Sequence, residues 1–418
     1  MPDHLRVWHG DTFVGELRDL GGRLAFEYAA AWLAAKRSFP LSVSLPLVPG
    51  RISDQRAHAF FANLLPEGQL REAVARRLGI SVSNDFTLLA AIGGECAGAL
   101  SILPTSEPID RSAESYEPLP PASIAAMARR YCVLPEVNAE RGLRLSLAGA
   151  QDKLPVRRTE DGALWLPVGG APSTHVLKVP SRGFKHLPAN EVLVTRLARS
   201  LGLFTVDAEL LQLDGQEVTL VRRYDRIVHG GRIERLHQED LCQALGLMPG
   251  AKYESEGGPT FVDAMGLVRG RSTQPLADAR QLLRWICFVS LVGNADGHGK
   301  NLSLSYGPDP RLGARLAPFY DLVCTRAYLQ IDRRLAMSVG GERDPGQIGR
   351  RHWEALARTI GVGARLVLRE VEALATSMPE AFDRIASEHI SALGPSPIIQ
   401  RVRQVVRRQC RRCLTLLG

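Results

Sequence analysis

The sequence predicts an α+β protein in which a strand-rich N-terminal half precedes a mainly helical C-terminal half. In the first half, short segments of alternating apolar and polar residues are separated by Gly-Asp and Gly-Gly pairs, as in β-hairpins. From residue 233 onward, the apolar residues recur with helical spacing. A run of Asn, Asp, His and Lys among glycines at 294–301 is too polar for ordinary core and indicates a site.

The composition is that of a globular protein and not of a membrane-spanning or disordered chain. With 418 residues, of which 45% are hydrophobic and 23% charged, two or three domains are expected. No apolar run reaches membrane-spanning length, and the N-terminus lacks the apolar core of a signal peptide. The seven dispersed cysteines are typical of reduced thiols, so we expect a cytoplasmic protein without a membrane partner.

The net charge of +8 permits an anionic partner, such as a nucleotide, a nucleic acid or an acidic protein. Much of this charge lies in the last predicted helix, 398–417, whose arginines form either a solvated face or a phosphate-contacting face. These arginines are Arg401, Arg403, Arg407, Arg408, Arg411 and Arg412. Cys410 and Cys413 in the same helix are interpreted as neighbours on one side, because no second pair completes a zinc site.

The first hundred residues predict a compact α+β domain without a catalytic cluster. The predicted strands are 5–9, 13–17, 24–28 and 39–45, with a returning strand within 92–103, and the predicted helices are 58–65 and 67–78. Gly79 is expected to end the second helix as its C-terminal cap.

Residues 104–121 form the clearest boundary in the chain. Five prolines together with Ser and Glu predict a linker or an extended surface segment. The predicted domains are therefore 1–103, 122–225 and 226–418 on either side of this linker and of a strand end near 225.

A second α/β segment follows the linker. Its loop at 144–157 is rich in small and polar residues, and its amides form either an anion-binding nest or an ordinary hairpin turn. A short strand then carries Lys178, and a helix opens at Asn190 and Glu191. A strand lysine followed by a helix glutamate is the arrangement that holds nucleotide phosphates in kinases, although Glu191 also suits a helix dipole.

The next predicted hairpin has strands at 210–213 and 217–224 around Asp214 and Gly215. Its second strand ends where a two-lobed protein kinase has its hinge, whose backbone groups bind adenine. The pattern after 233 is expected to be helical.

The polar run at 294–301 follows a long predicted helix, 278–292. Asp296 and Asn301 stand five residues apart, which is the spacing of the protein-kinase catalytic loop, with Asp as base and Asn as magnesium ligand. A hairpin then returns the chain to Asp321, where a kinase keeps a second magnesium carboxylate. Taken one at a time, each of these residues is also explained as part of an ordinary polar turn.

Five ordered motifs carry a resemblance to a known family. The set S-L-A-G-A-Q-D-K, H-V-L-K-V-P, N-E, N-A-D-G-H-G-K-N and F-Y-D-L resembles the HipA family of bacterial serine/threonine kinases, the toxins of HipBA toxin–antitoxin modules. The resemblance covers nearly the whole chain. It implies a two-lobed protein-kinase-like fold with an extra N-terminal α/β subdomain and a mainly helical C-terminal lobe.

The resemblance also implies a role for individual residues. Asp296 would be the catalytic base, Asn301 and Asp321 would hold Mg²⁺, and Lys178 would meet the ATP phosphates, oriented by Glu191. The other residues that it places around ATP are Ala148, Gly149, Ala150, Gln151, Asp152, Lys153, Arg222, Arg223, Tyr224, His298, Gly299, Lys300 and Tyr320. The sequence departs from the family in having Leu-Val after Asp321 and the shorter Asp152 where Glu is frequent.

Regulation and partners are implied in the same way. Ser146 falls at the serine whose autophosphorylation silences members of the family. The expected partners are a HipB-like DNA-binding antitoxin, operator DNA reached through it with nucleoid association, and an aminoacyl-tRNA synthetase as protein substrate. Two alternatives stay open, a co-repressor whose main role is DNA-bound and a kinase that acts on a small molecule.

Overall fold

The computed structural model describes residues 4–106, 114–131 and 152–418. The chain divides into two compact units. The first unit contains residues 1–181, 211–250 and 305–313, and the second contains residues 182–210, 251–304 and 314–418. Each unit combines segments that are distant in sequence, whereas the predicted domains are consecutive stretches of the chain. The limits of those domains stay predictions.

The secondary-structure elements of the described residues are numbered in chain order. The strands are β1 (His4–His9), β2 (Thr12–Asp19), β3 (Leu24–Tyr28), β4 (Arg51–Ile52), β5 (Leu100–Pro104), β6 (Ser115–Pro118), β7 (Lys153–Arg158), β8 (Leu164–Val168), β9 (His175–Lys178), β10 (Ala208–Leu213), β11 (Gln216–Arg222), β12 (Arg226–His229), β13 (Arg232–Arg235), β14 (Gln238–Asp240), β15 (Ser303–Tyr306) and β16 (Ala314–Leu316). The helices are α1 (Ala30–Ala34), α2 (Gln55–Ala62), α3 (Gly68–Leu78), α4 (Asp85–Ile92), α5 (Pro121–Arg130), α6 (Leu187–Ser200), α7 (Leu241–Leu245), α8 (Phe261–Arg271), α9 (Pro275–Val292), α10 (Arg350–Thr359), α11 (Ala364–Leu393) and α12 (Pro397–Leu417).

The first unit begins with a five-stranded sheet of order β4-β3-β2-β1-β5. Alternate residues of β1, such as Leu5 and Val7, are fully buried and pack with Phe60 and Phe61 of α2 in one apolar core. This alternation is what a sheet with one covered face requires. The first three predicted strands and the helix capped by left-handed Gly79 are confirmed.

The first unit also contains a six-stranded sheet of order β10-β11-β9-β7-β8-β6. Its core includes Ile124 and Met127 of α5 together with apolar residues of β7 and β9. The predicted hairpin between β10 and β11 is confirmed, and Asp214 and Gly215 both have positive φ, as its tight turn demands.

Two expectations for the first unit are wrong. The predicted strand at 39–45 is a turn with one isolated bridge, because side chains hold it in place of a strand ladder. Ser42 and the amide of Val43 donate to the carboxylate of Glu239, at 2.5 Å and 3.2 Å. The expected helical pattern after 233 starts only at α7, since β12 and β13 form a hairpin around Gly230-Gly231, a turn signal that the sequence contains.

The second unit is mainly helical and is built around α9. This helix packs against α8, α11 and α12, and buries Trp285, Phe288 and the thiol of Cys287. Cys410 and Cys413 lie on the buried side of α12 as free thiols. No group of three metal-binding side chains occurs among the residues that the structure describes. None of the helices found in these residues has the length and apolar character needed to span a membrane.

The carboxyl group of Glu239 provides a pH-dependent test of the first unit. Burial raises its pKa from 4.5 to about 7, against the opposing effect of hydrogen bonds from Ser42 and Tyr306. The folded state therefore keeps a proton that the unfolded chain loses, so this stabilisation is complete below pH 4.5 and is lost as the pH rises to about 7. In Glu239→Gln this loss is absent. We expect the free energy of unfolding of the variant, relative to wild type, to rise by roughly 2–3 kcal/mol from pH 4.5 to 7 and then stay level.

Urea unfolding at several pH values measures this difference. Glu234→Gln, which changes an exposed glutamate of β13, is the matched control and should show no pH-dependent difference. A constant difference between Glu239→Gln and wild type across the range would contradict the burial of a protonated Glu239.

Candidate active site

The polar loop begins where α9 ends in a left-handed residue, Gly293, with φ of 69°. A Cβ atom at this position would come within 2.5 Å of the Arg326 side chain. The amide of Asn294 donates back to the carbonyl of Val289 at 2.9 Å, which closes the helix. Glycine is therefore required here for both the backbone conformation and the close packing of Arg326.

Both peptide groups of Asp296 are held by its own loop. Its N–H donates to Oδ1 of Asn294 at 3.0 Å, and its carbonyl accepts Nδ2 of Asn301 at 2.6 Å and the N–H of His298 at 2.9 Å. The five-residue spacing of Asp296 and Asn301 thus has a direct structural basis. Because the amide nitrogen of Asn301 is engaged, its oxygen is the atom suited to a metal ion.

The carboxylate of Asp296 is the exposed group of this loop. Its side chain is 57% exposed, whereas Asn294, His298, Lys300 and Asn301 are all buried. The hydroxyl of Tyr253 donates to Oδ1 of Asp296 at 2.6 Å, and Nε2 of His298 lies 3.7 Å from the same oxygen. A carboxylate that is exposed on a loop of buried polar groups is positioned to accept a proton from a bound molecule.

An indole ring forms the floor of this loop. Trp285 of α9 lies so close to Gly297 that a Cβ there would meet its ring at 3.3 Å. The same ring stacks on Phe319, with ring centroids 5.9 Å apart and an interplanar angle of 25°. Trp285 therefore packs against both the loop around Asp296 and the segment that leads to Asp321, and limits how closely each can approach α9.

The segment around Asp321 is fixed from both sides. Asp321 itself has a φ of 53°, a left-handed conformation that is uncommon outside glycine. Before it, the hydroxyl of Tyr320 lies 2.7 Å from the Lys300 carbonyl and 2.7 Å from Oγ of Ser303. After it, Cys324 exchanges two hydrogen bonds with the side chain of Asn190, at 2.9 Å and 3.0 Å.

Helix α6, which carries Glu191, starts earlier than predicted. It begins at Leu187, so Glu191 lies beyond the first turn and is buried. The interpretation of Glu191 as a helix-dipole acid is therefore wrong. The neighbouring Asn190 explains the burial of this turn, because it binds the Cys324 backbone.

In the first unit, two predicted lysines share one face of a sheet. Lys178 at the end of β9 lies directly opposite Lys153 of β7 and is buried. Side chains of directly opposed residues point to the same side, and two like charges placed in this way destabilise a sheet. Asp152 precedes Lys153, and its carbonyl accepts the N–H of Val179 at 3.2 Å.

The predicted hinge residues lie at the end of β11 and differ in their surroundings. Arg223 is buried in an ion cluster with Glu95, Asp225 and Arg226, and its N–H donates to the Thr174 carbonyl at 3.0 Å. Its guanidinium is therefore used in these buried ion pairs, which stabilise the first unit. Arg222 is exposed, and the hydroxyl of Tyr224 donates to Oε1 of Gln238.

The remaining predicted residues lie outside the described residues. They are Ser146, Ala148, Gly149, Ala150 and Gln151. In the second unit, the structure brings Asp296, His298, Gly299, Lys300, Asn301 and Tyr320 together in one loop region. Their assignment to ATP and metal, like that of Asp321, stays a prediction.

Sequence reasoning missed four residues that shape this region. They are Tyr253, Trp285, Asn190 and Thr325. Each acts across a long sequence separation, and no local motif marks such a residue. Asn190 alone has a sequence signal, since it adjoins Glu191 in the N-E motif.

Comparisons with known proteins agree on one family. A model of the HipA-like C-terminal domain matches residues 145–382, and a model of the HipA N-terminal domain matches residues 5–103. The Sinorhizobium fredii protein Y4mE is 40% identical over 390 residues, covering 92% of each chain. The serine/threonine-protein kinase toxin HipA of Shewanella oneidensis is 30% identical, covering 91% of this chain and 89% of its own.

A solved structure supports the same conclusion. The HipA chain in a complex of Shewanella oneidensis MR-1 HipA, HipB and operator DNA superposes with a TM-score of 0.84 and 28% identity, covering 99% of this chain and 98% of that chain. The predicted α+β, kinase-like fold is therefore confirmed.

The left-handed exit of α9 gives a test of the loop. Gly293→Ala adds a Cβ in a strained conformation against Arg326, so we expect a loss of about 1–2 kcal/mol in the free energy of unfolding. Gly266→Ala is the matched control in the second unit. It lies on an exposed turn of α8 with open space around it, so it should be neutral or stabilising by up to about 1 kcal/mol. Urea unfolding of both variants measures these effects, and equal stabilities would contradict the constraint at Gly293.

Proposed function

The chain belongs to the HipA family, and on this basis we propose that it is an ATP-dependent serine/threonine protein kinase that acts as the toxin of a toxin–antitoxin system. The observation that carries the proposal is the exposed carboxylate of Asp296 on a loop whose other polar side chains are buried. Kinases need such a group to accept the proton of the substrate hydroxyl. A relative that covers most of the chain bears the name of a serine/threonine kinase toxin.

The residues present fit Mg²⁺ and ATP. Mg²⁺ takes oxygen ligands and usually needs only one or two from the protein, since phosphates and water complete its shell. The free amide oxygen of Asn301 and the carboxylate of Asp321 meet that requirement. ATP would supply the phosphoryl group, and Mg²⁺ would neutralise charge that develops on it.

The chain's own residues would orient the nucleotide and the substrate. Lys178 and the opposing Lys153, which share one face of the sheet, would bind phosphate oxygens. The buried Glu191 would orient Lys178. His298 and Lys300 would line the phosphate side, and Tyr320 would support Asp321 by fixing the Lys300 carbonyl.

Ser146 would provide autoregulation. A phosphate there adds close to two negative charges next to a loop, Ala148 to Lys153, that would otherwise receive the phosphates of ATP. Autophosphorylation at Ser146 would therefore inactivate the kinase. The serine lies outside the described residues, so its role is carried by the family alone.

The protein substrate would be a component of translation, such as an aminoacyl-tRNA synthetase. This choice follows the family and would account for the action of a toxin, because loss of a charged tRNA stops protein synthesis. Phosphoproteomics after brief induction, comparing wild type with Asp296→Asn, identifies the substrate directly.

The first test is phosphoryl transfer by Asp296→Asn. Asparagine preserves the shape of the side chain and removes the base, so transfer should fall by about 10²- to 10⁴-fold. Radiolabel from ATP that enters acid-precipitable protein measures the activity. Asp309→Asn, which changes an aspartate paired with Arg311 in the first unit, should retain full activity.

Each result decides a specific point. Undiminished labelling by Asp296→Asn would refute the assignment of the base. If radiolabel from ATP enters only small molecules, and this transfer is lost in Asp296→Asn, the chain is a metabolite kinase. A Ser146→Ala variant that still labels other proteins, and no longer itself, would support the autoregulatory site.

A second candidate function is that of a co-repressor. The solved relative forms a complex with HipB and its operator DNA. By analogy, this chain would join a HipB-like antitoxin on operator DNA in the bacterial cytoplasm and be nucleoid-associated there. The two functions are compatible in one protein.

A gel-shift assay tests the co-repressor function. We expect the HipB-like antitoxin to bind its operator at least about threefold more tightly when this chain is present, because a larger complex adds contacts or restrains the antitoxin. Asp296→Asn should have the same effect, since the base is not needed for binding. Unchanged operator affinity with a formed protein complex would argue against the co-repressor function.

A further inference from the structure

Tyr253 contacts the proposed base from a segment that no motif marks. Its hydroxyl donates to Oδ1 of Asp296 at 2.6 Å, although 43 residues separate the two in sequence. A hydrogen bond from a hydroxyl to a carboxylate is charge-assisted and stronger than one between neutral groups. No described residue donates a hydrogen bond to the other oxygen, Oδ2, of Asp296.

The backbone around Tyr253 is held without help from Asp296. The N–H of Glu254 donates to the Ala336 carbonyl at 3.1 Å, and the Glu254 carboxylate accepts Oγ of Ser338 at 2.7 Å. The N–H of Gly258 closes a turn on the Tyr253 carbonyl at 2.9 Å. These contacts therefore hold the backbone of Tyr253 in place independently of Asp296.

The same segment also holds the far side of the polar loop. The carbonyl of Lys252 accepts the N–H of Gly299 at 3.1 Å. The Tyr253 ring packs edge-on against His298, with ring centroids 5.2 Å apart and an interplanar angle of 89°. Nε2 of His298 lies 3.7 Å from Oδ1 of Asp296, so both side chains approach the same oxygen.

We propose that Tyr253 is a positioning residue, which fixes Oδ1 of Asp296 and thereby presents Oδ2 to the hydroxyl group of the substrate. An exposed aspartate rotates readily about its side-chain bonds, and a misplaced catalytic group costs rate. The proposal rests on the proposed function, because it assigns Asp296 as the base. An opposing possibility is that the Tyr253 hydroxyl occupies the place of the substrate and blocks the base.

Tyr253→Phe tests the proposal, because it keeps the ring against His298 and removes only the hydroxyl. The assay uses the Ser146→Ala background, [γ-³²P]ATP and a total bacterial protein extract as acceptor, with the Asp296→Asn rate subtracted. We expect the apparent turnover number to fall about tenfold, as for a lost hydrogen bond to a charged group. The KM for ATP, and the Kd for Mg·ATP by isothermal titration calorimetry, should stay within about twofold of wild type.

Tyr306→Phe is the matched control. It removes the hydrogen bond from another tyrosine hydroxyl to a carboxyl group, that of Glu239 at 2.5 Å, in the first unit. Its turnover number should equal that of wild type. A merely structural role of Tyr253 is separated by a cycle with Asp296→Ala, in which no carboxylate remains and whose small residual rates are corrected only for a blank without enzyme. There, Tyr253→Phe should cause no further loss, whereas a structural role would add its full effect.

The outcomes are distinct. If wild type gives no label that depends on Asp296, the proposed function fails. If wild type is active and Tyr253→Phe matches it, only the positioning role fails. A faster Tyr253→Phe would show that the hydroxyl blocks the base, and an equal loss in the Asp296→Ala background would show a structural role. Either result overturns the proposal.

Discussion

The hydroxyl of Thr325 ties together the two loops on which the candidate site depends. It accepts the N–H of Ala295 at 2.8 Å and donates to the carbonyl of Gly293 at 2.9 Å. The N–H of the next residue, Arg326, reaches the same Gly293 carbonyl at 3.2 Å. The loop of Asp296 and the segment after Asp321 are thus joined directly, next to the end of α9. A shift of one loop has to move the other.

Other residues of the second unit support the two loops joined by Thr325, through apolar packing on Trp285 and hydrogen bonds from Asn190. Trp285 lies beneath both segments, and Asn190 fixes the chain after Asp321. Polar side chains that would be costly to bury unpaired are used here to hold backbone groups. The result is a loop whose backbone groups are held in one arrangement by buried side chains.

The sequence predicted the parts of this arrangement that depend on local pattern. The spacing of Asp296 and Asn301 has a short-range cause, a side-chain bond to the Asp296 carbonyl. Hairpins with a clear turn signal, such as that at Asp214, were also predictable. The turn at 39–45 was not, because Glu239 holds it from almost 200 residues away. The contact of Tyr253 with Asp296 was not predictable for the same reason, since no local pattern around a tyrosine indicates a carboxylate 43 residues away.

The buried ion cluster at Glu95 has a consequence for how the protein is made. Glu95 contacts the guanidinium groups of Arg223, Arg226 and Arg235, and Arg226 lies 131 residues later in the chain. At about 5–20 residues per second, the ribosome adds that length in roughly 7–26 s. During this time the carboxylate stays hydrated on an incomplete surface, because an unpaired buried charge is too costly. The surroundings of Glu95 therefore reach their final packing only after β13 has been synthesised.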